Sequence, residues 1–300
     1  MDYRTPDASE PDLGEALVSV VMPVYAGDAL DHVRQAVDSV LAQTHAALEL
    51  IVIVDGAVPE AVDGFLHALT GRDARVRVVR LAENRGPAHA RNRGIAEARG
   101  AYIALLDADD VAHPDRIARQ RAYLEAERAD LVGSFYRLID ESGAVCGSKQ
   151  IPVDARMILK CLCAFNPIAN STVVAKAAVL KDNPCPEGYR LGPGPVYGED
   201  YALWVTLVEK GFRLGNTPEY LVDFRVGPRF FHRRRGLNRF RTDLYTKLRT
   251  LHLYSGARRP WAAFVAVATS LPRLLPAPLL ALPYWIRHRL RFDSRAVRNS

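Results

Sequence analysis

Gly100-Ala101-Tyr102-Ile103-Ala104-Leu105-Leu106-Asp107-Ala108-Asp109-Asp110 runs an apolar strand straight into three carboxylates. A short run without polar alternation, Tyr102 to Leu106, reads as a strand covered on both faces. In open parallel sheets, ligands collect beyond the carboxyl ends of the strands. Crowded carboxylates repel one another unless a cation or a donor relieves them. A hard divalent ion does so, sharing carboxylate and diphosphate oxygens. The segment therefore points to a sheet edge that carries a nucleotide-diphosphate site with Mn²⁺ or Mg²⁺.

Working outward, the same pattern recurs on both sides of it. Val18 to Tyr25, Leu48 to Val54 and Val76 to Leu81 are apolar, β-branched runs of buried-strand type. Between them lie helical segments: Leu30, Val33, Val37, Val40 and Leu41 form one stripe behind Asp28 as cap, with further helices near 59–70 and 87–99. Regular alternation of strands and helices gives an α/β fold, a mostly parallel open sheet with helices on both faces. After Pro114 the pattern is mixed. Leu131 to Ile139 and Ser171 to Ala175 read as strands, Glu141-Ser142-Gly143 as a hairpin turn, and Gly188 to Gly198 as a loop. A helix follows from Glu199 to Lys210, with Gly211 at its C′ position.

Composition bounds the function. Across 300 residues, 49% are apolar and 25% charged, which excludes disorder throughout, collagen-like repeats and a multi-span membrane protein. Cys146, Cys161, Cys163 and Cys185 lack paired C-x-x-C spacing and read as reduced thiols of a cytosolic body. The first turn, Met22-Pro23-Val24-Tyr25-Ala26-Gly27, has too few glycines for a dinucleotide fingerprint, and no Walker A sequence is present. That removes dehydrogenase and P-loop kinase readings.

Five blocks then occur in order: Val18 to Gly27, Leu50 to Gly56, Asn84 to Gly94, Gly100 to Asp110, and Gly198-Glu199-Asp200-Tyr201-Ala202-Leu203-Trp204. Over residues 17–230 this set resembles the family 2 glycosyltransferases, inverting, nucleotide-sugar-dependent enzymes of the GT-A fold. The resemblance implies that Pro23 and Tyr25 line the nucleoside pocket and that Asp55 contacts the base. It implies further that Asn84 and Arg91 stand beside the donor, with Arg91 on the phosphates or in an ion pair. Asp107 would face the ribose, Asp109 would hold the metal, and Asp200 would be the catalytic base. Glu199 and Trp204 fall on the acceptor side; helix-terminal charge for Glu199 and core packing for Trp204 are the competing readings. His232, beyond Phe224-Arg225-Val226-Gly227, is a candidate metal ligand or phosphate contact, or simply a histidine on a basic surface. Val54-Asp55-Gly56-Ala57 keeps one acid where the family often has two followed by Gly-Ser, and no Q-x-x-R-W block of processive synthases occurs. Transfer of a single sugar is expected. The donor would be a nucleotide sugar, a UDP-sugar foremost, and the acceptor a glycan or lipid-linked hydroxyl in envelope or surface polysaccharide assembly. A catalytically silent carbohydrate- or lipid-binding scaffold is the alternative.

Three units are expected: an acidic leader over 1–16, the catalytic domain over 17–230, and a basic, partly apolar helical extension over 231–300. From Arg225 to Ser300 there are 17 Lys and Arg against two acids, Asp243 and Asp293. Trp261 to Ile286 is apolar apart from Arg273 but broken by prolines. It suits an interfacial hairpin on an anionic membrane, or a helical pair packed on the catalytic domain or on a second subunit, better than nucleic acid or a spanning helix. The resulting location is cytoplasmic, peripheral on the inner face of the membrane.

Overall fold

A computed structural model describes residues 16–189, 198–227, 235–276 and 279. Most of the expected leader and of the 188–198 loop, His232, and all residues after 279 lie outside the described residues.

The first half is the βα alternation that the periodicity predicts. Strands β1 (Val18–Val24), β2 (Leu48–Asp55), β3 (Val76–Leu81) and β4 (Tyr102–Leu105) are joined by α1 (Leu30–Leu41), α2 (Glu60–Thr70) and α3 (Pro87–Glu97). They lie in the order β3-β2-β1-β4, all parallel. Successive strand residues point to opposite faces. Val20, Met22 and Val24 therefore pack with Val33 and Val37 of α1 and Leu66 of α2, while Val21 meets Ile53, Ile95 of α3 and Trp204 on the other face. Helix α3 approaches closely because Gly94 has no side chain: a Cβ there would lie 2.3 Å from Val21 Cγ1.

The second half is mixed. After the acidic loop come β5 (Val111–Ala112), α4 (Arg116–Ala126), β6 (Leu131–Ile139), β7 (Val145–Lys149), α5 (Ala155–Cys161), β8 (Val174–Lys176) and α6 (Ala177–Lys181). Then follow α7 (Glu199–Glu209), β9 (Leu214–Arg225), α8 (Leu237–Arg249) and α9 (Arg258–Ser270). Among the described residues one nine-stranded sheet results, in the order β3-β2-β1-β4-β8-β6-β9-β5 with β7 beside β6. Strands β6 and β9 run parallel to the first four, whereas β8, β5 and β7 oppose them, so the sheet is mostly parallel.

Local readings differ at three places. Asp28 does not cap α1; its Oδ2 accepts from the Tyr25 amide at 2.9 Å, and Ala29 occupies the N-cap. The strand expected from Ser171 begins later, because the amide and hydroxyl of Thr172 both bond the Ala169 carbonyl and close a 3₁₀ turn over Asn170–Thr172. Strand β9, which carries Arg225, was not expected from the pattern. Gly211 does terminate α7, at φ 86°.

Helix α8 packs on α7, and α9 packs on α8. Lys247 is buried between the last two helices, 2.6 Å from Asp243 and within 3.2 Å of the Thr269 and Ser270 hydroxyls. Among the described residues no helix is long and apolar enough to cross a membrane.

Candidate active site

Strands β2, β1 and β4 are neighbours, and their registers, Val24 opposite Val54 and Val21 opposite Leu105, bring the carboxyl ends to one edge. Pro23, Tyr25, Asp55 and Asp107 consequently line one side of the sheet. Pro23 pairs with Ile53 inside β1, and Tyr25, just past its end, is 36% exposed.

Asp55 is buried, and both of its carboxylate oxygens accept backbone amides, from Arg85 and Gly86, each at 2.9 Å. The Asn84 side-chain amide donates back to the Asp55 carbonyl at 3.1 Å. Gly56 turns the chain there at φ 79°, where a Cβ would lie 2.7 Å from the Asn84 nitrogen. Asp55 and Asn84 thus shape the loop that starts α3. Each oxygen keeps a lone pair beyond the amide it accepts, so those bonds fix the carboxylate in place and leave it able to accept from a base.

Arg91, on α3, joins two parts of the chain that are remote in sequence. Its Nη2 donates to Asp107 Oδ1 at 2.8 Å and its Nη1 to Glu199 Oε1 at 3.0 Å. The Asn170 amide, oriented with its oxygen toward Arg91, accepts from Nε at 3.1 Å. Burial by itself disfavours the charge on Arg91, but Asp107 and Glu199 hold it firmly protonated. Glu199 is likewise buried, and burial together with neighbouring Asp200 pushes its carboxyl above the ordinary value. At the start of α7 it is the second anchor of the Arg91 guanidinium. Asp200 is next along α7 and only partly buried. Asn166 donates to its Oδ2 at 2.8 Å.

Asp109 is partly exposed at the tip of the acidic loop. Burial and the charge of Asp107 push its carboxyl up to about 6. Asp110 is fully enclosed, and burial with the charges of Asp109 and Asp107 holds it well above the carboxylate range. Arg225, the last residue of β9, locks this loop. Its amide donates to Asp110 Oδ1 and its Nε to the Asp109 carbonyl, both at 2.8 Å. Its Nη1 reaches the Asp140 carbonyl at 2.8 Å, and its Nη2 reaches Gln35 Oε1, also at 2.8 Å.

The strand ends, Arg91 and the acidic loop therefore belong to one linked cluster, which reaches Glu199 at the start of α7, the residue before Asp200. Trp204 does not: it is fully buried in the core and donates its indole N–H to the Ile168 carbonyl at 3.2 Å, which corrects its acceptor-side reading. Asn166 and Arg225 are additions from the structure. A lone Asn in a loop carries no sequence signal. Arg225 lies in the Phe224-Arg225-Val226-Gly227 stretch, and its bonds depend on β9.

Comparison with known proteins follows this geometry. Residues 19–161 match the sequence family described as Glycosyl transferase family 2. A teichuronic acid biosynthesis glycosyltransferase of Bacillus subtilis, TuaG, is 30% identical over 70% of this chain and 79% of its own. The chain belongs to glycosyltransferase family 2. An uncharacterized glycosyltransferase of Rickettsia felis is 32% identical over 71% of this chain, yet this glycosyltransferase spans only 34% of that protein's length. Among solved structures, the mannosyltransferase PcManGT of Pyrobaculum calidifontis, in complex with GDP-Man and Mn²⁺, superposes with a TM-score of 0.61 at 18% identity, covering 99% of this chain and 90% of that one. The likeness is one of fold, and that fold is GT-A.

Proposed function

We propose that this glycosyltransferase moves one sugar, with inversion, from a nucleotide-diphosphate donor to a hydroxyl acceptor. The observation that supports the reading is the Arg91 bridge, which ties Asp107 in the acidic loop after β4 to Glu199 at the N-terminus of α7, the residue before Asp200. The donor would lie across the ends of β2, β1 and β4, over Pro23 and Tyr25, with its diphosphate toward Asp109. A UDP-sugar is the first candidate. PcManGT, which shares the fold, holds GDP-mannose, so both bases belong in the test.

Asp109, with Asp107 beside it, would hold Mn²⁺ or Mg²⁺. The donor set fits: it is all oxygen, and burial, followed by the charge of Asp107, pushes the Asp109 carboxyl up, a push that a cation would relieve. Among the described residues no group of three or more His, Cys, Asp and Glu is arranged to hold a metal; the candidate ligand His232 lies outside them, and a donor diphosphate commonly shares such an ion with one or two carboxylates. When bound, such an ion acts as a Lewis acid that stabilises charge on the leaving diphosphate.

Asp200 takes the proton of the acceptor hydroxyl as its oxygen attacks the anomeric carbon. The C–O bond to the acceptor forms on the face opposite the breaking C–O bond to the diphosphate, which leaves with the electron pair. Asn166 holds Asp200 by one oxygen and leaves the other for the acceptor. TuaG, named for teichuronic acid biosynthesis, supports a glycan acceptor; a lipid-linked hydroxyl at the cytoplasmic face belongs to the same proposal. Donor hydrolysis and transfer across a panel of UDP- and GDP-sugars, with Mn²⁺, with Mg²⁺ and with chelator, test the reading. Turnover that survives chelation removes Asp109 from its role. Donor binding with neither hydrolysis nor transfer establishes the silent scaffold instead.

A further inference from the structure

Helix α9 has two unlike faces. Ala262, Ala266 and Ser270, spaced four apart, are buried on the side that meets α8. On the opposite side Trp261 is 65% exposed and Phe264 61%, their rings stacked at 5.5 Å. Val267 continues the same stripe, and Leu271 and Leu274 carry it through the 3₁₀ turn that follows. Large aromatic and aliphatic side chains left outward in a row, above a small-residue face already packed, mark a surface made for something else.

The charge around this ridge has one sign. Arg258 and Arg259 in the first turn of α9, and Arg235 and Arg241 around the start of α8, are exposed. Asp243 is the sole acid between residues 235 and 276, and it is buried against Lys247 at 2.6 Å, with Arg273 3.7 Å away. Every exposed formal charge in this segment is therefore positive. Aromatic anchors beside arginines suit the headgroup region of an anionic bilayer. A nucleic acid would use the arginines but leave the apolar ridge in water.

We propose that the outer face of α9 is a docking surface for an anionic lipid bilayer. It goes beyond the transfer reaction and does not depend on it: vesicle binding and donor turnover fail separately. The test is co-sedimentation of the full chain with phosphatidylcholine vesicles and with phosphatidylcholine–phosphatidylglycerol vesicles. Residues 277–300 remain present in every variant. The wild type is expected to bind the phosphatidylglycerol vesicles and to lose them as salt rises. W261A/F264A, altered only at exposed positions, should keep the wild-type thermal transition and bind at least about tenfold more weakly. R258Q/R259Q should bind about 30-fold more weakly. Unchanged binding of W261A/F264A overturns the proposal, as does equal capture by both vesicle types. A wild-type dimer that W261A/F264A makes monomeric, without vesicle binding, would assign the ridge to a second copy. Binding of RNA without vesicle binding would assign the arginines to nucleic acid. Either result also overturns it.

Discussion

Asp107, at the end of β4, and Glu199, at the start of α7, hold the same guanidinium: Arg91 reaches one at 2.8 Å and the other at 3.0 Å. Three buried or half-buried charges thereby become a strut between the donor edge of the sheet and the helix that bears Asp200. Removing the cation alone leaves two carboxylates facing each other without compensation. Arg91→Met is expected to cost about 3–5 kcal/mol in chemical denaturation, the range for breaking a buried pair from one side. Arg91→Lys, a single point donor that cannot span both carboxylates, should fall between. A cost below about 1 kcal/mol for Arg91→Met would remove the strut from the account.

Asp200→Asn keeps the shape and the Asn166 contact but cannot accept a proton. Turnover should fall about 10²–10⁴-fold with the donor KM nearly unchanged. Asn166→Ala removes the side-chain hydrogen bond that Asp200 accepts and should lower kcat about tenfold while the donor KM stays nearly unchanged. An Asp200→Asn enzyme that keeps wild-type turnover would show that Asp200 is not the base.

Asp109 has its carboxyl pushed up to about 6 by burial and the charge of Asp107. Below that pH a divalent ion must displace a proton to bind. Mn²⁺ affinity should therefore be level above about pH 6 and fall about tenfold per unit below it. Titration calorimetry in buffers of different ionisation enthalpy reads the released proton directly. Asp109→Asn should abolish both the affinity and the proton release.

Glu49 gives a pH effect far from the chemistry. Burial raises its carboxyl, but hydrogen bonds from the Ser19 hydroxyl at 2.7 Å, the Arg99 amide at 2.8 Å and Arg77 at 3.2 Å outweigh that and leave it below the ordinary 4.5. The folded state thus binds a proton less readily than the unfolded chain. Its stabilising contribution is complete above pH 4.5 and is lost as pH falls through the lowered value. Glu49→Gln should cost about 1–3 kcal/mol at neutral pH, with the difference from wild type narrowing in acid. A difference that stays constant from neutral to strongly acidic pH would rule the linkage out.

Trp204→Phe separates core from groove. It removes a buried indole N–H bonded to the Ile168 carbonyl and leaves that oxygen unpaired. Stability should drop by about 1–3 kcal/mol while the acceptor KM stays unchanged. An acceptor KM that rises without loss of stability would restore Trp204 to the groove.

The strands from Val18 to Leu106, the helices between them and the carboxylates at their ends were all legible in the sequence. Their signals are local, since period and polarity repeat within a few residues and the rule that ligands gather at strand ends needs no distances. Asp28 shows where local reading stops: a cap and a turn use the same side chain, and the backbone chose the turn. What Asp55, Glu199 and Trp204 face was decided by tertiary structure alone, because an acid or an indole reads the same whether it meets a ligand, a backbone amide or the core. Arg91 and Arg225 make the point most plainly. Each bonds residues about a hundred positions away, and no pattern along the chain encodes which carboxylate or carbonyl the folded sheet will bring within reach of a guanidinium.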